Sequence, residues 1–198
     1  MADQVTEQEL KDRLRLIESM IAEGRRTTES WGWTFVLWGV AYYVAIAWAT
    51  YGHSSIAWPV TMIAASILTF VVASRRASKQ PETTLGRAMG AIWFGMGVST
   101  FIVMLSLGIS GRLELHSAVA IVGAMLGAAN ATSSIILRWK MQSVCAVVWW
   151  TAAAVSCFIS ENQAGILFLV AIFICQIVFG IYGMIAKSRK RGRGISHA

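Results

Sequence analysis

The chain has 198 residues, 56% hydrophobic and only 14% charged, with a formal net charge of +7. Ordinary soluble domains carry about 25% charged residues, so this composition excludes one and points to a chain held in a bilayer. The positive balance does not imply nucleic-acid binding, because the cations stand beside apolar segments, where they fix topology and meet anionic head groups.

The first element is polar. Thr6-Glu7-Gln8-Glu9 has the capping-box pattern, a hydroxyl for an early amide and a carboxylate reaching back. Leu10, Leu14, Ile17 and Ile21 then recur on one helical face, supported by Glu7/Lys11 and Glu9/Arg13 four apart. Gly24 is a natural stop. Residues 1–29 therefore read as a cytoplasmic amphipathic helix and linker that lies on the membrane, packs under the bundle or pairs with another copy. The segment is too polar for a secretory signal, and the apolar run behind it is long enough to span fully.

From Ser30 to Ser74 there is no Asp, Glu, Lys or Arg, and four shorter uncharged runs follow: Ala88–Gly111, His116–Leu137, Met141–Ser160 and Asn162–Ala186. A helix crosses a hydrocarbon core of roughly 30 Å with about 20 mainly apolar residues, so the first run holds two crossings and each of the others one. The expected fold is all-α: a polytopic membrane protein of six transmembrane helices in three hairpins. The spans fall near 31–51, 56–74, 88–108, 117–137, 141–159 and 164–186, forming a bundle over 30–187 with a basic tail at 188–198. Pro59 sits near the start of the second span, where a missing amide costs little. The outer turns, Gly52–Ser55, Ile109–His116 and Ser160–Gln163, are short and leave little surface outside the cell.

Orientation follows from Lys and Arg. They cluster before the first span (Lys11, Arg13, Arg15, Arg25, Arg26), after the second (Arg75, Arg76, Lys79, Arg87), after the fourth (Arg138, Lys140) and in the tail (Lys187, Arg189, Lys190, Arg191, Arg193). Of the 17 cationic residues only Arg112 stands elsewhere. The positive-inside rule puts both termini in the cytoplasm, and the tail cluster reads as an anionic-lipid contact. Trp31, Trp33 and Trp58 read as interfacial anchors, whereas Trp149 and Trp150 fill volume deeper in the fifth span.

Chemistry-bearing groups are sparse. Cys145, Cys157 and Cys175 all fall within spans, without a CxxC, and read as small buried hydrophobes. The outer-turn residues His53, His116, Glu114 and Glu161 form a weak candidate for an external metal or proton site. No GxSxG, HExxH or phosphate-loop pattern occurs, and no acidic or basic residue sits inside a span, which disfavours proton coupling. No cofactor or metal is expected. What remains is uncharged and polar. Gly123, Gly127, Asn130 and Ser134 share one face of the fourth span; Gln176, Gly180 and Gly183 share one face of the sixth. Counted from Arg138 and Lys187, Asn130 and Gln176 lie about 12 and 16 Å from the inner ends at 1.5 Å per residue. Either the glycines let helices approach while the carboxamides bond across, or the two carboxamides line a polar path.

The chain resembles an uncharacterised group of small bacterial six-span membrane proteins. Three places carry the likeness: Leu16-Ile-Glu-Ser-Met-Ile21 leading to Trp38-Gly39, Gly127-Ala-Ala-Asn-Ala-Thr132, and Gln176-Ile-Val-Phe-Gly-Ile-Tyr-Gly-Met184 with its basic tail. The resemblance implies the six-span fold and a bacterial cytoplasmic (inner) membrane, and it implies no activity. Members often carry His where this chain has Gln176, so a role resting on that histidine does not transfer. Three readings follow. The first is a non-enzymatic assembly, sensing or regulatory component acting through helix–helix association, with self-association or a membrane partner. The second is a channel or facilitator for a small neutral or weakly polar solute, with Asn130 and Gln176 lining the path. The third, an intramembrane enzyme, needs a constellation that the spans do not show.

Overall fold

The computed structural model describes residues 7–54, 56–77 and 84–195, with the backbone alone for 7–8, 23–30, 76–77, 187 and 189–195. The described residues are helical throughout their elements, with no strand among them: α1 Glu7–Ser30, α2 Gly32–Gly52, α3 Ala57–Ala77, α4 Thr84–Ile109, α5 Leu115–Leu137, α6 Lys140–Ser156, α7 Glu161–Ile172 and α8 Phe179–Ile195. A π-helical segment, Phe173–Val178, joins α7 to α8. Five stretches are long and apolar enough to cross a membrane: Gly32–Gly52, Ala57–Arg75, Thr84–Ile109, Leu115–Leu137 and Glu161–Ala186. The fifth expected span, α6, is shorter at 17 residues, at the low end of what a crossing needs. It ends at Ser156, ahead of the expected 159, because i→i+3 bonds tighten its last turn: Cys157 N–H to Ala154 O at 3.3 Å and Phe158 N–H to Val155 O at 3.0 Å.

Other boundaries differ from expectation. Gly24 does not stop α1, which runs on to Ser30, and its backbone is not left-handed. A helix-interior glycine costs only about 1 kcal/mol against alanine, too little to end a helix by itself. The expected linker is thus reduced to Trp31, whose carbonyl accepts from the Thr34 amide at 2.8 Å. At the other end α8 continues through the basic run, read as a tail from 188, as far as Ile195. The Thr6 end of the capping pattern and the loop holding Lys79 and Pro81 lie outside the described residues. Local chemistry sets the remaining starts. Ser160 and Gln163 form a capping box on α7, with the Ser160 amide donating to Gln163 Oε1 at 3.1 Å. Glu114 and Ser117 do the same for α5.

Packing follows the chain order at first: α2 on α3, α4 on α5, α6 on α7. The most extensive contact is between α5 and α6, and α2 also packs on α8 and on the π segment. Small residues fill the helix contacts, including Ala45, Ala57, Ala129, Ala146, Ala164 and Ala171. Large apolar side chains face outward, such as Phe70, Phe94 and Ile135 at about three-quarters exposed. That distribution suits helices bathed in hydrocarbon, where close packing of small residues, not apolar burial, holds helices together.

Two aromatic groups tie the helices. Phe35 of α2 meets Trp93 of α4 edge-on at 5.3 Å and Phe179 of α8 at 5.0 Å, and Phe179 meets Trp139 at 5.1 Å. Tyr42 meets Trp58 at 6.1 Å and Phe168 at 5.8 Å, and Phe168 meets Trp149 at 5.9 Å. The Trp93 indole also donates to Ser133 Oγ at 3.1 Å, the polar tie between α4 and α5. Ser133→Ala is expected to cost about 1 kcal/mol. In a double-mutant cycle with Trp93→Phe, read by denaturation in detergent, the coupling should match that loss; zero coupling would show the bond contributes nothing.

Candidate functional site

The α5 face is built by its turn into α6. Arg138 adopts a left-handed conformation (φ 48°, ψ 44°), and Arg138 and Trp139 alone separate the helices. So short a connection forces α6 back antiparallel along α5. A Cβ on Gly123 would sit 2.9 Å from the Trp149 carbonyl oxygen and 3.0 Å from Ala153 Cβ, and one on Gly127 would run into the Trp150 indole. Both glycines therefore mark the contact with α6. Asn130 is 1% exposed. Its Nδ2 donates to Leu126 O of its own helix at 2.8 Å, and its Oδ1 has no hydrogen-bond partner. The amide of Asn130 is thus bonded within its own helix, one turn back, and not across to a neighbour. Ser134 is likewise bonded within α5, to Ala131 O at 2.8 Å.

The second face meets a different neighbour. Gln176 lies in the π segment, 3% exposed, and a Cβ on Gly39 of α2 would sit 2.9 Å from its Cβ. One turn on, a Cβ on Gly180 would sit 2.7 Å from the Gly32 carbonyl oxygen, and one on Gly32 would sit 2.8 Å from that of Gly180. Gly183 is buried. Gln176, Gly180 and the glycines of α2 thus form one seam, while Gly123, Gly127 and α6 form another. Gln176 meets α2 at Gly39, whereas Asn130, expected at nearly the same depth, is hydrogen-bonded only within α5.

The structure adds residues that the spacing argument missed. Gln142 is fully buried, and neither its Nε2 nor its Oε1 has a hydrogen-bond partner; Trp149 Nε1 is also buried and unpartnered. Gln142 stands two residues after Lys140, in the first turn of α6, away from the polar faces picked out by glycine spacing. The available signal was the face Gln142, Cys145, Trp149, Ala152 and Ser156, all buried. Cys175 Sγ donates to the Cys145 carbonyl at 3.7 Å, joining the π segment to α6. Cys157 departs from the buried reading and is exposed at the end of α6.

The outer-turn candidate does not assemble. His116 Nε2 bonds Ile159 O at 2.7 Å, His53 caps α2 in a left-handed conformation, and Glu114 caps α5. Among the described residues no three His, Cys, Asp or Glu side chains gather at metal-binding spacing. A shallow, open groove of mainly apolar character lies between the end of α6 and α7, lined by Val155, Ile159, Gln163, Ile166, Leu167 and Val170. Neither Asn130, Gln142 nor Gln176 lines it. The backbone of Lys187, Arg189, Lys190, Arg191 and Arg193 is helical.

No protein-family model, curated protein or solved structure matches this chain.

Gln142 yields a direct prediction. A buried polar group without partners costs about 1–3 kcal/mol. Gln142→Met, of similar volume, is expected to stabilise the protein by an amount in that range, measured by denaturation in detergent. A loss instead would mean that the amide is bonded, by water or by a ligand.

Proposed function

We propose that this chain is a six-span bacterial inner-membrane protein, with three hairpins and both termini cytoplasmic, that acts without catalysis. On this reading it is an assembly, sensing or regulatory component working through helix–helix association, and its basic carboxy-terminal run meets anionic lipid. The resemblance to small bacterial six-span proteins belongs to the same reading. The observation that supports it most is the double use of glycine: Gly32 against Gly180, and Gly123 against Trp149 and Ala153, bring backbones together where larger residues would hold them apart. The uncharged polar residues sit in or beside these seams and are almost wholly buried.

A second reading, a facilitator for a small neutral solute, draws on one observation: Asn130 Oδ1 and the Gln142 amide have no protein partner. Buried polar atoms of this kind are where water or a polar solute binds.

Single cysteines at 130 and at 176, in a cysteine-free background, separate the two. The association reading predicts protection of both from a small membrane-impermeant thiol reagent applied to either side of a folded protein. Rapid labelling from one side would transfer support to the facilitator reading.

A further inference from the structure

We infer that the apolar stripe of α1 is covered by a second copy of this chain, α1 against α1. The inference rests on the helix-association reading and names its partner. Leu10, Leu14 and Ile17 are each more than half exposed, and Leu16 and Met20 beside them are 61% and 44% exposed. Every described side chain from Glu9 to Met20 is exposed, although α1 as a whole packs on α4, α5 and α8. The bundle therefore holds α1 in position without covering the stripe.

Two surfaces compete for such a stripe, a bilayer and another helix. A helix held at an anionic membrane needs a surplus of Lys and Arg on its polar face. Between Glu9 and Ala22, Lys11, Arg13 and Arg15 are cancelled by Glu9, Asp12 and Glu18. The positions of these charges favour a copy. Leu10 and Ile17 take one core position of a heptad, and Leu14 and Ile21 the other. Glu18 and Lys11 then flank one side of the seam and Arg13 the other. In a parallel pair Arg13 faces Glu18 of the second copy; in an antiparallel pair Lys11 faces it. Either orientation gives Glu18 an opposite charge, twice over by two-fold symmetry. Arg13 already holds Glu9 of its own helix at 2.6 Å, and a guanidinium keeps further donors for a second carboxylate. Two heptads are too short to pair in dilute solution. Tethering each α1 to a membrane helix raises the effective concentration and removes that obstacle.

The test uses the full chain in lipid vesicles, with association read by energy transfer between labelled copies as protein density is varied. The wild type is expected to associate. Leu14→Asp with Ile17→Asp should weaken association at least about tenfold, since each side chain buries a full apolar surface in the pair. Glu18→Lys should weaken it less, and adding Arg13→Glu or Lys11→Glu should restore it, the successful partner reporting the orientation. These side chains are exposed in the single chain, so the bundle should unfold at the wild-type denaturant concentration in every variant. Undiminished association in Leu14→Asp/Ile17→Asp would overturn the inference while leaving association through the bundle intact. A wild type that stays monomeric at every density would overturn the inference together with self-association, leaving the association reading only a different membrane partner.

Discussion

The structure depends on one close approach, that of α2 to α8 at Gly32 and Gly180. Each glycine stands where a side-chain carbon would lie within 2.8 Å of the other's carbonyl oxygen, nearer than any real Cβ contact allows. In hydrocarbon, apolar surface gains little by leaving lipid for a neighbouring helix, so dispersion between closely fitted backbones does more of the holding. Once α2 and α8 are in register, Gly39 receives Gln176, Phe35 receives Phe179, and the π segment is set against α6 through Cys175 and Cys145. Trp139 packs on the same Phe179, which joins the α5–α6 turn to the first seam.

The two outer helices depend on this frame more loosely. α3 packs on α2, and α4 packs on α5 and α1; most of their large side chains are exposed. Single aromatic residues tie them in, Trp58 through Tyr42 and Trp93 through Phe35 and Ser133. Tyr43 adds a polar strut, its hydroxyl donating to Leu169 O at 2.9 Å just before the π segment. A central pair held by backbone contact and a periphery held by rings is an arrangement in which the outer helices move more easily than the inner ones.

The apolar helices are legible in the sequence because desolvating a charge is costly enough to empty a whole segment of Asp, Glu, Lys and Arg. That signal marks where apolar helices run, and five of the helical stretches are long and apolar enough to cross a membrane. It does not say which faces meet. Gly123 and Gly127 share a face with Asn130, yet nothing in their spacing marks Trp149, Trp150 and Ala153 as the opposing surface. Depth counting aligned Asn130 with Gln176 but carried no sign that Gln176 meets α2 at Gly39. Gln142 stands away from the polar faces picked out by glycine spacing, and the Cys145–Cys175 contact comes from parts of the chain that no local pattern connects. Gly24 misled for an energetic reason: a cost near 1 kcal/mol yields to neighbours that continue the helix.

Glycine-to-alanine substitution tests the central claim most directly, because this chain carries its own control. Gly180 of the α2–α8 seam can be compared with Gly95 of α4, where a Cβ would meet nothing within 4 Å. Denaturation of the two variants in the same lipid or detergent gives the answer. Gly95→Ala should be neutral or stabilising by up to about 1 kcal/mol, the helix-propensity gain. Gly180→Ala should lose about 1–3 kcal/mol, as overpacking does, despite the same gain in propensity. Opposite signs would support a frame built on backbone contact. Equal effects at both positions would contradict it.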